Sequence, residues 1–361
     1  MNQHIYSHRN LYIDKTGKVV IDASRYEKVR SFSGGLAAVY RSGRGWGFIN
    51  QTGTVVIEPR FQNVLDFSEG VAGVQVADKW GFMDEEGRVV IQPAYESVNP
   101  FSEGVAVVVK DASATASRPS STGKAAQGEA SRSELITLSD SFNGRHPDEQ
   151  CARDGSAEIL LIDKSGRTIL SLSQYMIEPG DIENAGFSDG LMNVYDCSKS
   201  KYGYIDKVGK FIIEPRYDQA APFSEGVAKV ATGSEGSEEK IGFIGRGGRF
   251  VIPPKFNTDG DFQRNSTNFS EGLASLTEGL QPTFTKEAKF VYIDKAGAVV
   301  LLTDFFYAGP FRSGIASVYD EEKNKWGFID RTGRVVIPLQ YDLVEGFSEG
   351  LAHVTVAGSQ M

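Results

Sequence analysis

The sequence predicts an all-β chain of eight repeated units that close into a propeller-like ring of three- to four-stranded blades. Three observations carry this expectation. The block KWGFMDEEGRVVIQPAYESVNPFSEGVA, from Lys79 to Ala106, returns seven more times, complete or eroded. Within each copy, apolar residues alternate in short runs bounded by Gly and Pro, the period of half-buried strands. The chain also starts in one part of the unit and stops in another, so its first and last copies are complementary fragments.

Aligned on an aromatic-rich strand ending in Asp and on a Phe-Ser-Glu-Gly turn, the units run 11–39, 46–74, 80–109, 160–194, 202–230, 241–276, 291–318 and 326–356. They form a single repeat domain. In the third copy, Trp80, Phe82 and Asp84 alternate with Gly81 and Met83, and Val89 to Ile91 answers them across Asp84-Glu85-Glu86-Gly87. An Asp that caps the turn backbone and a Gly that takes positive φ are the chemistry of a type I turn closed by a G1 bulge. The Trp-Gly run is therefore strand B and the Val-Val-Ile run strand C of a hairpin. Phe101-Ser102-Glu103-Gly104 is a second turn and feeds strand A, Val105 to Val109, the candidate inner strand. Between strand C and the next strand A, Pro93 to Phe101 is a loop or a short edge-lying strand D, because Pro is excluded from central strands. A fourth strand restores chain direction from one unit to the next.

A lone unit cannot stand. Ordering a 34-residue repeat costs roughly 50 kcal/mol at about 1.5 per residue, and offsetting that takes about 2,000 Å² of apolar burial at ~25 cal/mol per Å². Units must stack, as in propellers and solenoids. The chain begins at strand B and ends after strand A, so in a ring the last A pairs with the first B and completes a blade from both ends. That favours an eight-bladed ring, within the usual propeller range; an open, twisted β-superhelix or solenoid is the alternative.

The stretch 111–157 is rich in Ser, Ala, Gly and charge and has Phe142 as its sole aromatic, the composition of a low-complexity, disordered insertion. It falls between strands A and B, where the other connections (231–240, 277–289 and 320–325) also vary most. In a meander these loops share one face, and the DxxG hairpins and FSEG turns share the other.

Lys and Arg total 38 against 47 Asp and Glu, a formal charge of −9 spread along the chain. That argues against nucleic acid, which needs a clustered basic surface, and suits solubility or a basic partner. The two cysteines, Cys151 and Cys197, sit in no metal-quartet or redox-pair pattern, so a reducing compartment is the simplest inference. No secretory leader is visible at MNQHIYSHRNLYID, and no stretch approaches membrane-span length. A cytoplasmic monomer is expected.

The combination WGFID, Gly, VVI, Pro-x-Tyr and FSEGLA resembles the WG-repeat (KWG-repeat) family of bacterial proteins, and the resemblance covers nearly the whole chain outside the insertion. The Trp-Gly pair itself survives at Trp46-Gly47, Trp80-Gly81 and Trp326-Gly327, and the fourth and seventh units lack it. The resemblance implies a binding array more than an enzyme and supplies no catalytic position or cofactor.

The turn acids Glu69, Glu103, Asp189, Glu225, Glu271 and Glu349 would ring one opening of a propeller, placed to bind a cation or a basic segment. The plainer reading is that acids suit an exposed turn, and the interruptions at Gly34 and Ser313 favour it. The hairpin acids Asp14, Asp84, Asp163, Asp206, Asp294 and Asp330 recur once per unit, whereas Ca²⁺ wants several oxygens at one point, so turn stabilisation is expected. Trp46, Trp80 and Trp326 alternate on strands and read as interblade core. The four histidines are His4, His8, His146 and His353, which leaves no nucleophile-His-acid set and no metal cluster. His353 lies in the last strand A, where other units have Ala38, Gly73 or Lys229; it either lines a central channel or is structural. The expected function is a non-catalytic protein-interaction scaffold with specificity in the variable A to B loops, in its narrowest form an antagonist or immunity-type protein covering a basic partner. The alternative is a propeller enzyme or a small-ligand or carbohydrate binder with its site at the channel mouth.

Overall fold

Two tight turns per unit set where the chain reverses. At the FSEG turns the residue before the glycine has left-handed φ, for example 52° at Glu69, 53° at Glu103 and 57° at Ser313, and Gly70, Gly104 and Gly314 follow at 84°, 83° and 86°. Ser68 and Val71 exchange both backbone bonds across this pair, which makes a two-residue type I′ hairpin whose twist matches the flanking strands. At the other turn, Asp14 Oδ1 accepts the N–H groups of Thr16 at 2.9 Å and Lys18 at 3.1 Å, and Gly17 takes φ 81°. Asp84, Asp163, Asp206, Asp294 and Asp330 do the same in their own units. The hairpin acids are turn caps, with no convergence on a metal.

A computed structural model, described over residues 8–111, 157–173, 175, 185–233, 239–257, 267–277 and 290–358, shows eight small antiparallel sheets arranged as an eight-bladed β-propeller. In the order D, A, B, C, blade I is Leu343–Val344, Ala352–Ala357, His8–Ile13 and Val19–Asp22. Blade II is Lys28–Val29, Leu36–Arg41, Gly45–Asn50 and Val55–Phe61, and blade III is Asn63–Val64, Val71–Val76, Lys79–Asp84 and Val89–Tyr95. Blade IV is Ser97–Val98, Val105–Asp111, Ala157–Asp163 and Thr168–Ser171. Blade V has strands A to C at Met192–Asp196, Lys201–Ile205 and Phe211–Tyr217, and blade VI is Gln219–Ala220, Val227–Thr232, Lys240–Gly245 and Phe250–Asn257. Blade VII has strands A to C at Ala274–Thr277, Phe290–Ile293 and Val299–Leu302, and blade VIII is Tyr307–Ala308, Ile315–Asp320, Lys325–Asp330 and Val335–Tyr341. The low-complexity stretch, apart from its ends at Asp111 and Ala157, lies outside the described residues, as do 234–238 and 278–289.

Ring closure follows the expected pairing. Strand A of blade I lies antiparallel to strand B in unbroken register from His8↔Ala357 to Ile13↔Ala352, so one sheet is built from both ends of the repeat region. The inner edge differs from the sequence reading. Strand D, two residues long, pairs with the following strand A and lies nearest the axis; strand A is second. Residues just past strand D in adjacent blades reach each other, as Ser31 Oγ does to Glu345 Oε2 at 2.6 Å. Strand C carries exposed valine pairs such as Val89-Val90 and Val335-Val336, which mark the outer rim.

The Trp-Gly glycines have a specific cause. In blade II, Phe48 pairs with Ile57 but Trp46 pairs with Phe61, so a short step on strand B faces a long bulge on strand C that contains Pro59. The bulge folds back over Gly47: a Cβ there would sit 2.5 Å from the Ile57 carbonyl oxygen, and at Gly81 the matching distance is 2.4 Å from Ile91. Gly203, Gly242 and Gly327 face the same bulge at 2.7, 2.9 and 2.7 Å. Blades I, IV and VII have four-residue strands C that keep register along this part of strand B, Leu11↔Asp22, Leu160↔Ser171 and Val291↔Leu302, with one shift beside the hairpin turn, and carry Leu or Val where the others need Gly. The bulge also explains how Pro is tolerated, since its missing N–H falls where the ladder is already interrupted.

Cys197, in the turn after strand A of blade V, is disulfide-bonded; the chain's other cysteine lies outside the described residues. The sequence spacing carries no sign of such a bond, and the inference of a reducing compartment loses its support there.

Gly81→Ala is expected to cost about 1–3 kcal/mol in urea unfolding, because backbone must move, while Leu160→Ala at the straight-register position of blade IV leaves the hairpin geometry intact. Truncation after Gly350 removes strand A of blade I and is expected to lower amide protection across all blades in hydrogen exchange; loss confined to blade I would contradict closure.

Candidate binding site at the closing sector

The six turn acids are placed as seams between blades. Each reaches forward to the next FSEG turn and accepts the N–H of its glycine: Gly104 to Glu69 at 3.0 Å, Gly190 to Glu103 at 2.8 Å and Gly226 to Asp189 at 2.7 Å. Gly272 to Glu225, Gly314 to Glu271 and Gly35 to Glu349 follow at 2.9, 3.0 and 2.9 Å. The residue after the hairpin Asp in the next blade supplies a cation. Lys164, Lys207, Lys295 and Arg331 pair with Glu69, Glu103, Glu225 and Glu271 at 3.3, 3.1, 3.2 and 3.0 Å, and each also donates to the backbone carbonyl of the acid it pairs with. These contacts put the hairpins and FSEG turns on one face. At Glu349 the partner is the neutral Gln51, 3.1 Å away.

Beneath the acids, each seam has a buried spine. The FSEG phenylalanine is nearly inaccessible in every unit and in seven of eight packs on the strand B aromatic of the preceding blade, as in Phe48 with Phe67 and Phe328 with Phe347, at centroid distances of 4.9 and 5.0 Å; Phe187 shares its core cluster with Leu161 instead. The serine hydroxyl donates across the seam to the next phenylalanine carbonyl: Ser33 to Phe67, Ser68 to Phe101 and Ser348 to Phe32, each at 2.6 Å. The last of these closes the ring. Burial alone would push the Glu103, Glu225 and Glu271 carboxyls up, but the glycine N–H and the Lys or Arg partner outweigh it and hold them below the usual range.

The tryptophans are packing residues at the opposite end of strand B. Trp46 is buried beside Tyr40 with the Arg30 guanidinium 4.7 Å over its ring, and Trp326 lies half-buried between Tyr307 and Tyr319. Trp80 is likewise half-buried against the core between blades III and IV.

The repeat pattern breaks where the ring closes. His353 is buried in strand A of blade I, its Nε2 3.1 Å from Asn10 Oδ1, while Nδ1 lies 3.5 Å from Glu345 Oε1 without hydrogen-bond geometry. Glu345 in turn accepts from Ser31 of blade II. Its burial is outweighed by His353 and by that bond, so its carboxyl is held low. Asp66 of blade III stands in the same group, 3.6 Å from Arg30, with Oδ1 buried and unbonded. Burial pushes its carboxyl up more than Arg30 pulls it down. Tyr12, its phenol raised by burial and then by Glu345 and Asp66, stays protonated and donates to the Arg30 carbonyl at 2.6 Å. No sequence pattern brings these residues together; the one available signal is that His353, Glu345 and Asp66 have no His or carboxylate at the matching positions of the other units.

Asn10 connects this axial group to a cavity of about 700 Å³ on the A to B loop face, lined by His8, Asn10, Tyr26, Glu27, Asp342 and Thr355 among others. Asn10 Nδ2 also donates to the Tyr26 carbonyl at 2.8 Å. On the cavity wall, Asp342 Oδ1 is held by Lys325, while Oδ2 is buried without a hydrogen-bond partner, 3.9 Å from His8 Nδ1. Among the described residues, no group of three or more His, Cys, Asp or Glu is arranged to hold a metal, and no helix is long and apolar enough to cross a membrane.

A ring of small antiparallel sheets with this seam is a repeat β-propeller, an architecture suited in general to interaction scaffolds. The WG containing repeat model matches it at 12–43, 46–80, 80–112, 202–234 and 326–358. At these five places the chain carries the repeat of the WG-repeat family. No curated protein matches its sequence. Among solved structures, the computationally designed Ika8 protein aligns over 90% of this chain and 94% of its own at 10% identity, with a TM-score of 0.48. BamB from Moraxella catarrhalis covers 96% and 98% at 10% identity and TM-score 0.42. The WD40 β-propeller domain of Doa1 covers 98% of both chains at 9% identity and TM-score 0.31.

Because the seam carboxyls titrate below their ordinary value of 4.5, their stabilisation is complete above that value and is lost as pH falls through the lowered native range. Glu271→Ala is expected to cost roughly 0.5–1.5 kcal/mol at neutral pH. The triple variant at Glu103, Glu225 and Glu271 should flatten the acid limb of a plot of urea midpoint against pH.

Proposed function

We propose that this propeller is a non-catalytic scaffold that holds a partner protein on its A to B loop face, with a basic side chain of the partner seated in the closing-sector cavity. The observation that carries the reading is Asp342: its carboxylate lines an open cavity beside His8 and one of its oxygens lacks a hydrogen-bond donor, so an N–H entering the cavity would complete it. The overall charge of −9 favours the same class of partner by steering it in. The turn acids that would otherwise be the obvious basic-segment ligands already serve the seams. The narrower role, an antagonist or immunity-type protein covering a basic partner such as a secreted toxin, rests on this charge balance, as does monomeric action.

A chain with two cysteines in no metal or redox pattern suits the cytoplasm, whereas the bond at Cys197 is chemistry of oxidising compartments; non-reducing mass spectrometry of protein taken from its cells separates the two.

Pull-downs with the wild type, with Asp342→Asn and with the 320–325 loop shortened test the proposal. Retention of the partner is expected to fall at least tenfold in Asp342→Asn, equivalent to about 1.4 kcal/mol, with the thermal midpoint little changed. If both variants keep every partner and a screened metabolite raises the thermal midpoint instead, the scaffold reading fails and a small-ligand site at the cavity replaces it.

A further inference from the structure

Six of the eight seams fill one position with a carboxylate, and two do not. Between blades II and III the acid is replaced by Gly34, and the hairpin residue that should be a cation is Glu85. Between blades VIII and I the acid is replaced by Ser313, but the hairpin cation remains as Lys15. The hairpin of blade I packs on blade VIII as the others pack on their neighbours: a Cβ on Gly17 would touch the Ile337 side chain at 3.4 Å, as one on Gly166 would touch Ile91 at 3.3 Å. Lys15 therefore stands in the slot that Lys164, Lys207, Lys295 and Arg331 occupy elsewhere. Among the described residues neither its ammonium nor the Gly350 N–H has a partner, whereas the equivalent N–H of Gly104, Gly190, Gly226, Gly272, Gly314 and Gly35 is bonded to an acid. The Ser313 backbone has the same left-handed conformation as the acids, φ 57° against 52–54°, and its short side chain leaves the space in front of Lys15 and Gly350 unfilled.

We propose that the seam between blades VIII and I is a binding site for a carboxylate supplied from outside the chain. Gly350 N–H and Lys15 Nζ receive it as their counterparts receive Glu69 or Glu225. The class of ligand follows from the chain's own six examples: a side-chain carboxylate of Asp or Glu size, offered by an acidic peptide segment or by a free organic acid. The site lies on the face opposite the cavity and is independent of the function proposed above. The seam between blades II and III is its internal control. There the Gly70 N–H also lacks a partner, but Glu85 beside it carries the wrong sign, so an anion is repelled.

The test is a titration of the deuterated full chain, followed by the amide resonances of Gly350 and Gly70. Acetate probes the free acid, and the blocked peptide Ac-Gly-Glu-Gly-NH₂ probes the peptide source, with Ac-Gly-Gln-Gly-NH₂ as its uncharged match. Gly350 is expected to shift saturably with acetate and with the Glu peptide but not with the Gln peptide, and Gly70 to stay unmoved. A lower apparent Kd for the Glu peptide than for acetate identifies a peptide segment as the natural source; equal values identify a free acid. Lys15→Gln should weaken binding roughly 2- to 5-fold, the range of an exposed ion pair. Ser313→Glu, which adopts a conformation six other acids already hold, should place Gly350 at its bound position with no probe present and abolish the response. No saturable shift at Gly350, an equal shift at Gly70, or a response that survives Ser313→Glu would overturn the assignment.

Discussion

Everything in this ring depends on the FSEG turn acting across the seam rather than within its own blade. A blade of this length is too thin to bury a core of its own, so its stability must come from the neighbour. The turn provides that in layers. The Phe ring fills the space between blades, the Ser hydroxyl binds the next Phe carbonyl, and the acid binds the next Gly N–H and, in four seams, a Lys or Arg of the next hairpin. The left-handed conformation at the acid position disfavours any residue with a Cβ. Asn would fit that backbone better, and the recurrence of Glu is explained by the bonds it makes across the seam. Because each unit both gives and receives, the order of units is cyclic, and Ser348 to Phe32 completes it.

The closing sector is where the pattern is relaxed, and the relaxations cluster. The three seams flanking blades I and II carry Ser313 with Lys15, Glu349 with Gln51 and Gly34 with Glu85 in place of the acid and cation pairs found elsewhere. The axial group of Tyr12, Arg30, Asp66, Glu345 and His353 lies in the same arc, and so does the cavity walled by Asp342. A buried His and two carboxylates stand where other units have neither, an arrangement that is costly unless each is paired. Here the pairing is incomplete, with Asp66 Oδ1 and His353 Nδ1 left unbonded. Departures of this kind from an otherwise regular repeat are where local rules have been given up, and here they fall in one arc of the ring.

What could be read from the chain alone divides along sequence separation. The Asp and Gly of each hairpin, the presence of a turn at each FSEG, the alternation on strands A and B and the pairing of the last strand with the first all follow from residues within one unit or from the register of its copies. The role of the acids did not. Glu69 meets Lys164 and Glu271 meets Arg331 across gaps that loops and the insertion make irregular, so no spacing announces the pair. Strand D was half visible: Pro argued for an edge, but which edge depends on how blades face the axis. The need for glycine after Trp shows only in the tertiary structure, where the bulged strand C folds back over it.

By itself the sequence determined the secondary structure, the number of units and the way the ring closes, because turn chemistry and alternation act over a few residues and repetition multiplies a weak local signal eightfold. Tertiary structure alone decided what the polar residues do. Whether an acid is a ligand, a seam or an axial partner depends on which group stands within about 3 Å of it, and in a ring that group belongs to the next blade. The link from Asn10 to His353 is the extreme case: it joins strands at opposite ends of the repeat region, and only closure brings them together.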